Sequence, residues 1–295
     1  MSAGHSQSVS AVSVSAVVVN FNAREHLLEC VRSLRAEGVD DVVVADNDSA
    51  DASTWALASS DPDARIVATG GNVGYGTAAN RGAAVASGEL LLVCNSDVVV
   101  EPGSVKAMAD ALAADPAVAL VGPLVENLDG TVYPTPRTFP DLGVAVGHAF
   151  LGMVAPGNRF TRRYRMLDAD RSRPAAVDWV SGACFLVRRT AWEEVGGFDE
   201  SYFMYAEDVD LCWRAHRAGW KVAFEPSARV VHVQGVSSDL APYRMIVEHH
   251  RSLLRFYRRT TTGARAALVP VVAAGLAVRA ALACARRSVE SLRAR

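Results

Sequence analysis

Within the first 120 residues, short β-branched runs alternate with segments of helical periodicity, and this alternation restricts the chain to an α/β architecture with parallel βαβ units. The runs are Val14–Val19, Val42–Ala45, Arg65–Ala68, Leu90–Cys94 and Val118–Val121. Between the first two, Arg24–Glu37 sets Leu27, Leu28, Val31 and Leu34 along one helical stripe, which Gly38 ends. Helices are also expected over Gly76–Ala86 and, after Pro102, over Gly103–Ala113. Residues 124–176 are rich in Pro, Gly and Arg with weak periodicity, and read as long or mobile loops. Order resumes with the strand-like "AVDWVSGACFLVRR", a short helix at Thr190–Val195, a helix ending near Ala218, a strand at Arg229–Val233, and helix after Ala241.

A chain of 295 residues, half apolar, accommodates one large domain and a modest appendage. The expected division is a flexible tail over 1–11, a catalytic domain over 12–240 and a basic helical extension over 241–295. The five cysteines (30, 94, 184, 212 and 284) are widely spaced and form no C-x-x-C pair, so they read as thiols in a reducing compartment. The N-terminus lacks the basic start of a signal peptide. Net charge is −2 and nothing marks a nucleic-acid partner, but the charge is uneven. From Arg251 onward ten arginines face Glu290 alone, a local +9 that leaves −11 on the first 250 residues.

In an open α/β sheet, ligands bind beyond the carboxyl ends of the strands. The residues there are Asn20-Phe21-Asn22, Asp46-Asn47-Asp48-Ser49, Gly70-Gly71-Asn72-Val73-Gly74 and Asn95-Ser96-Asp97. Asp46 can accept from a ribose hydroxyl or a pyrimidine N–H, or it can simply cap a helix. The glycine-rich turn "TGGNVGYGTAANRG" frees backbone N–H groups for an anion, with Asn72, Asn80 and Arg81 adding polar reach; it also fits a plain tight turn. Asp97 is placed to hold Mg2+ or Mn2+, or to be satisfied by its own turn.

Farther along, "FMYAEDVDLCWRAHRAGW" sets Glu207, Asp208 and Asp210 at the start of a helix. The helix dipole accounts for one acid there. Three packed like charges repel unless some face a cation or a proton-transfer partner, so the cluster can supply a general base.

Taken in order, "VVVNFN", "VVVADNDSAD", "GGNVGYGTAANRG", "NSD", "SGACFLVRR", "GGFDESYFMYAEDVDLCWR" and "VVHVQG" resemble the family-2 glycosyltransferases of the GT-A fold over roughly residues 14 to 235. Within that family the likeness is nearest to bacterial rhamnosyltransferases acting on polyprenyl-diphosphate-linked sugars. The resemblance implies a Rossmann-like, mostly parallel sheet flanked by helices, with a C-terminal helical extension. It assigns Asn20, Asn22, Asp46, Asn72, Asn80, Asn95 and Ser96 to the nucleotide-sugar, and Asp97 to Mg2+ or Mn2+, with Asn95 standing where the family's D-x-D motif has its first acid. His232 either adds a metal contact or is a satisfied strand-end histidine. Asp208 matches the catalytic base, supported by Glu207 and Arg214, and Trp179, Ser181 and Gly182 fall among the acceptor contacts.

The activity so implied is inverting transfer of L-rhamnose from dTDP-rhamnose to polyprenyl-diphosphate-linked N-acetylglucosamine at the cytoplasmic face of the membrane. The alternatives are the same fold with UDP-galactofuranose or a UDP-hexosamine as donor, or a non-catalytic sugar-nucleotide binder. A nucleotidyltransferase is disfavoured by the lack of an N-terminal G-x-G-T-R-type loop. In the tail, Ala266–Cys284 is apolar except for Arg279 and is interrupted by Pro270 and Gly275, which disfavours a membrane span and suits a helix lying on an anionic membrane surface. Packing on the catalytic domain or on a second copy, as a homodimer, is the other reading.

Overall fold

A computed structural model describes residues 12–139, 143–144, 147–148, 151–152, 155, 157–233, 235 and 240–293; the tail expected over 1–11 lies outside the described residues. The first half is β1 (Val14–Asn20), α1 (Arg24–Ala36), β2 (Asp41–Asp46), α2 (Ser53–Ser60), β3 (Arg65–Ala68), α3 (Tyr75–Val85) and β4 (Leu90–Asn95). These strands are parallel in the order β3-β2-β1-β4. Both faces are covered, which is why the strands read as unbroken apolar runs. Val17, Val43, Leu91 and Val93 pack with Ala78, Ala79 and Ala83 of α3. Their neighbours Ala16, Val18, Val44 and Leu92 pack with Leu27, Val31 and Leu34 of α1 on the opposite side.

The chain continues through β5 (Val98–Val100), α4 (Ser104–Ala114), β6 (Val118–Glu126), β7 (Val132–Tyr133), α5 (Arg159–Tyr164), β8 (Ala175–Val177), β9 (Cys184–Arg188), α6 (Arg189–Val195), α7 (Glu207–Arg217) and β10 (Lys221–His232). The full sheet runs β3-β2-β1-β4-β9-β6-β10-β5. Its second half is mixed, because β9 runs antiparallel between β4 and β6. Since β2 and β3 lie on one side of β1 and β4 on the other, the order reverses at β1/β4, and a crevice opens beyond their carboxyl ends.

Two expectations are corrected. The stretch 124–176 is not all loop, since it holds the end of β6, β7, α5 and the start of β8. Pro123 is tolerated inside β6 because pairing with β9 covers only Leu120 and Val121. β10 begins at Lys221 rather than Arg229; "EPS" reads as a turn but forms a register shift between Glu225 and Arg229, where Pro226 owes no ladder bond.

Two long helices follow, α8 (Pro242–Thr260) and α9 (Val269–Arg293). α8 is fastened to the loop before α7: Ser252 Oγ donates to the Met204 carbonyl at 2.8 Å, and Arg259 Nε lies 3.1 Å from Asp210 Oδ1. α9 packs along α8, with the Tyr243 and Ser288 hydroxyls 3.0 Å apart and Arg279 Nη1 3.0 Å from His250 Nε2. The charge at Arg279 therefore faces α8. On the outer side of α9, Val271, Val278, Leu282 and Val289 recur at helical spacing and are exposed, Val271 by 68%. Gly263–Leu292 is long and apolar enough to cross a membrane by length and composition, and its apolar window is unburied.

Candidate active site

Beyond the carboxyl ends of β1 and β4 lies a cavity of about 1490 Å3. Single-ligand pockets usually run to roughly 300–1,000 Å3, so two substrates fit here. It is lined by the tips of β1, β2, β4 and β10, by the start of α7, and by α8 and α9. Asp97 and Asp208 both face it.

Beyond the ends of β1, β2 and β4, Asn22, Asn47, Asn72, Asn95 and Ser96 line the wall. Asn20 and Asp46 do not; they sit one layer behind. Asn20 Nδ2 donates to Asp46 Oδ1 at 2.8 Å, and the Ser49 hydroxyl and backbone N–H donate to the same carboxylate at 2.6 and 3.0 Å. That network orders the loop presenting Asn22, whose backbone N–H donates to Ser49 Oγ at 3.0 Å. Asp46 does not cap α2, whose N-cap is Ala52 without a side-chain bond; Asp51, one residue earlier, accepts from the Ser53 N–H at 3.0 Å. Asn47, unassigned from sequence, holds the glycine-rich turn by donating to the Gly74 carbonyl at 3.2 Å. Its only sequence signal was adjacency to Asp46.

Asn80 is a correction. Its side chain donates to the Phe198 carbonyl and accepts from the Phe198 N–H, both at 2.9 Å, and it lies away from the cavity. A helix interior position facing β9 and α6 leaves it bracing a loop. Arg81 likewise donates to the Thr69 carbonyl.

At the junction of β4, β5 and β10, the antiparallel register sets His232 opposite Val98, one residue past Asp97. His232 Nε2 consequently lies 3.1 Å from Asp97 Oδ1 and 3.1 Å from Asn95 Nδ2. One carboxylate and one imidazole at the cavity wall fit a divalent ion whose remaining positions are filled by phosphate oxygens and water. Among the described residues no group of three His, Cys, Asp or Glu side chains could hold a metal by itself.

The three acids at the start of α7 have three different environments. Asp208 opens into the cavity. Its Oδ2 accepts from Gly182 N–H at 2.9 Å and its Oδ1 from Val209 N–H at 2.8 Å. Burial raises its pKa, while these N–H groups and the Arg137 guanidinium pull the other way. Glu207 is buried beside it with Oε2 lacking any partner among the described residues, and burial and then the Asp208 charge drive its pKa far above the carboxylate range. The Asp208 charge thus favours the proton on Glu207.

Asp210 points away from the cavity, paired with Arg214 Nε at 2.7 Å and Arg259 Nε at 3.1 Å. Arg214 is therefore also a correction: its guanidinium is spent on Asp210 and the Val195 carbonyl, one helical turn away from the cavity. The pair at i, i+4 was visible in the sequence; its inward direction was not.

Two consecutive left-handed residues, Tyr205 (φ 68°) and Ala206 (φ 62°), aim the start of α7. The Phe203 carbonyl accepts from Tyr75 N–H at 3.0 Å, which joins this loop to the glycine-rich turn. Trp179, Ser181 and Gly182 line the same cavity as Asp208. Arg137 escaped sequence reading because it lies in the aperiodic stretch. It stacks 4.8 Å from the Trp179 ring and donates to Tyr133 Oη at 2.8 Å.

A family described as "Glycosyltransferase like family 2" matches residues 11–248. The N-acetylglucosaminyl-diphospho-decaprenol L-rhamnosyltransferase of Mycobacterium tuberculosis is 40% identical over 255 residues, covering 81% of this chain and 82% of that protein. The low-salt glycan biosynthesis hexosyltransferase Agl10 of Haloferax volcanii is 25% identical over 229 residues, 76% of this chain and 68% of that one. Among solved structures, a mannosyltransferase from Pyrobaculum calidifontis in complex with GDP-Man and Mn2+ superposes with a TM-score of 0.60 at 17% identity, over 94% of this chain and 75% of that one. The fold is GT-A.

Proposed function

Because the chain belongs to glycosyltransferase family 2, we propose that it transfers L-rhamnose from dTDP-rhamnose to N-acetylglucosamine carried on a polyprenyl diphosphate. The observation that carries this reading is the 40% identity, along most of both chains, to a transferase named for that acceptor and that sugar. The meeting of Asp97 and Asp208 in one cavity supports it.

The acceptor hydroxyl is a weak nucleophile, and Asp208 takes its proton as the oxygen bonds to the anomeric carbon and the bond to the nucleoside diphosphate breaks. Gly182 N–H, Val209 N–H and Arg137 hold the aspartate as an anion before the transfer. A single displacement inverts the anomeric centre. Asn22, Asn47 and Asn72 bind the nucleotide against the loop ordered by Asn20, Asp46 and Ser49. Asp97 and His232 would hold a divalent ion, Mg2+ or Mn2+, with the Asn95 amide beside them, and such an ion would supply positive charge to the departing diphosphate. The exposed apolar face of α9, followed by Arg286 and Arg287, rests on the anionic cytoplasmic leaflet.

The test is incubation with dTDP-rhamnose, Mg2+ and a lipid-diphosphate N-acetylglucosamine, followed by the mass of the extracted lipid. A gain of one deoxyhexose is expected. Product from UDP-galactofuranose or a UDP-hexosamine, with none from dTDP-rhamnose, overturns the donor. Nucleotide binding without product from any donor overturns the catalytic reading.

A further inference from the structure

The cavity extends well beyond what the donor and the reacting sugar require. It continues between α8 and α9, where Met245, Leu253, Phe256, Val272, Gly275 and Leu276 give it an apolar lobe. Five arginines line the same cavity, Arg137, Arg165, Arg244, Arg265 and Arg279, against three acids, Asp97, Glu207 and Asp208, all of them at the catalytic end. The excess is positive even with all three acids ionised.

Two of these arginines link the catalytic pair to the C-terminal helices. Arg137 acts on Asp208 on one side and on His148 and His249 on the other, and Arg279 acts on both histidines. Burial, then Arg165 ahead of Arg279 and Arg137, pushes His148 down to about 4, and burial, then His250 ahead of the same two arginines, pushes His249 down to about 3, so both imidazoles are neutral donors or acceptors at neutral pH. His249 packs 5.1 Å from the Tyr205 ring, two residues before Glu207, and Arg279 reaches His250 beside it. Arg244 stacks 4.3 Å from the Phe203 ring on the catalytic loop. A cationic zone backed by an apolar slot, the slot opening along a helix whose outer face is exposed and apolar, is complementary to a diphosphate joined to a hydrocarbon chain.

We propose that the cavity between α8 and α9 is a second ligand site: the arginine zone takes the diphosphate and the apolar lobe takes the first isoprene units of the lipid acceptor. The proposal rests on the transfer reading above and assigns its lipid half to residues of the C-terminal helices. It makes α8 and α9 part of the acceptor site, beyond any role at the membrane.

The probe is farnesyl diphosphate, which carries no sugar, titrated in EDTA so that the ion site makes no contribution, and followed through the fluorescence of the lining residues Trp179 and Trp213. Farnesyl diphosphate should bind at least about tenfold more tightly than either pyrophosphate or farnesol, since each buried methylene is worth about a factor of four. In Gly275→Phe, which fills the lobe, its Kd should rise at least about tenfold while the Kd of the nucleoside diphosphate stays within about twofold. Farnesyl diphosphate binding no tighter than pyrophosphate to the unmutated chain overturns the proposal without recourse to a variant. The two readings also fail separately. Sugar transfer at a kcat/KM independent of isoprenoid length removes the lobe and leaves the transferase; farnesyl diphosphate binding with no sugar transfer removes the transferase and leaves the site.

Discussion

Replacing Asp208 by asparagine tests the arrangement at the start of α7 most directly. The carboxylate accepts two backbone N–H groups, Gly182 at 2.9 Å and Val209 at 2.8 Å. An amide can accept only one of them and turns an NH2 toward the other, which costs about 1–3 kcal/mol for the unpaired donor. Removing the charge beside Glu207 offsets part of that cost, so the melting temperature should fall by no more than about 5 °C. Catalysis should respond differently, because the proton of the acceptor hydroxyl loses its destination. The expected loss in kcat is about 10²–10⁴-fold, or about 2.7–5.5 kcal/mol of barrier. Binding of dTDP should be unchanged, since Asn22, Asn47 and Asn72 belong to other elements. The assay is single-turnover transfer beside a nucleotide titration. A variant turning over within about threefold of the parent would show that the proton leaves by another route.

The same environment predicts further outcomes. Burial raises the Asp208–Glu207 pair, and the base must be ionised, so kcat/KM should rise with pH through the raised value of the pair. The Asp208 charge raises Glu207 and not the reverse, so Glu207→Gln should leave that limb in place in a pH–rate profile; a shift of about one unit or more in either direction would refute the assignment. For stability the sign is opposite: a carboxyl raised by folding stabilises at low pH and loses that contribution as pH climbs through its folded value. Glu207→Gln should therefore gain in melting temperature on the parent as pH rises. Asp210→Asn strips the carboxylate from Arg214 and Arg259 and should cost about 3 kcal/mol in urea denaturation, while transfer per folded molecule is retained. Gly74→Ala puts a Cβ 2.2 Å from the Phe203 carbonyl oxygen at a φ of +92°, and should lower stability by about 2 kcal/mol or more and uncouple the donor turn from the catalytic loop, seen as weaker nucleotide binding and lower kcat.

Local pattern was enough to determine the parallel half of the fold, because burying both faces of β1, β2 and β4 demands unbroken β-branched runs, and amphipathic stripes such as Leu27, Val31 and Leu34 demand helices. Strand ends mark a crevice for the same reason, so Asn22, Asn72, Ser96 and Asp97 were within reach of sequence. What a one-dimensional pattern does not encode is direction and partnership. Asn80 and Arg214 have the right chemistry and point elsewhere, toward Phe198 and Asp210. His232 meets Asp97 across 135 residues only because β10 returns antiparallel to β5. Arg137 sits in an aperiodic stretch and reaches the cavity by stacking on Trp179. The three acids of α7 look equivalent in the chain; only the tertiary structure gave one a cation pair, buried one without a partner for its Oε2 among the described residues and turned one toward the cavity, because burial and neighbouring charge come from segments distant in sequence.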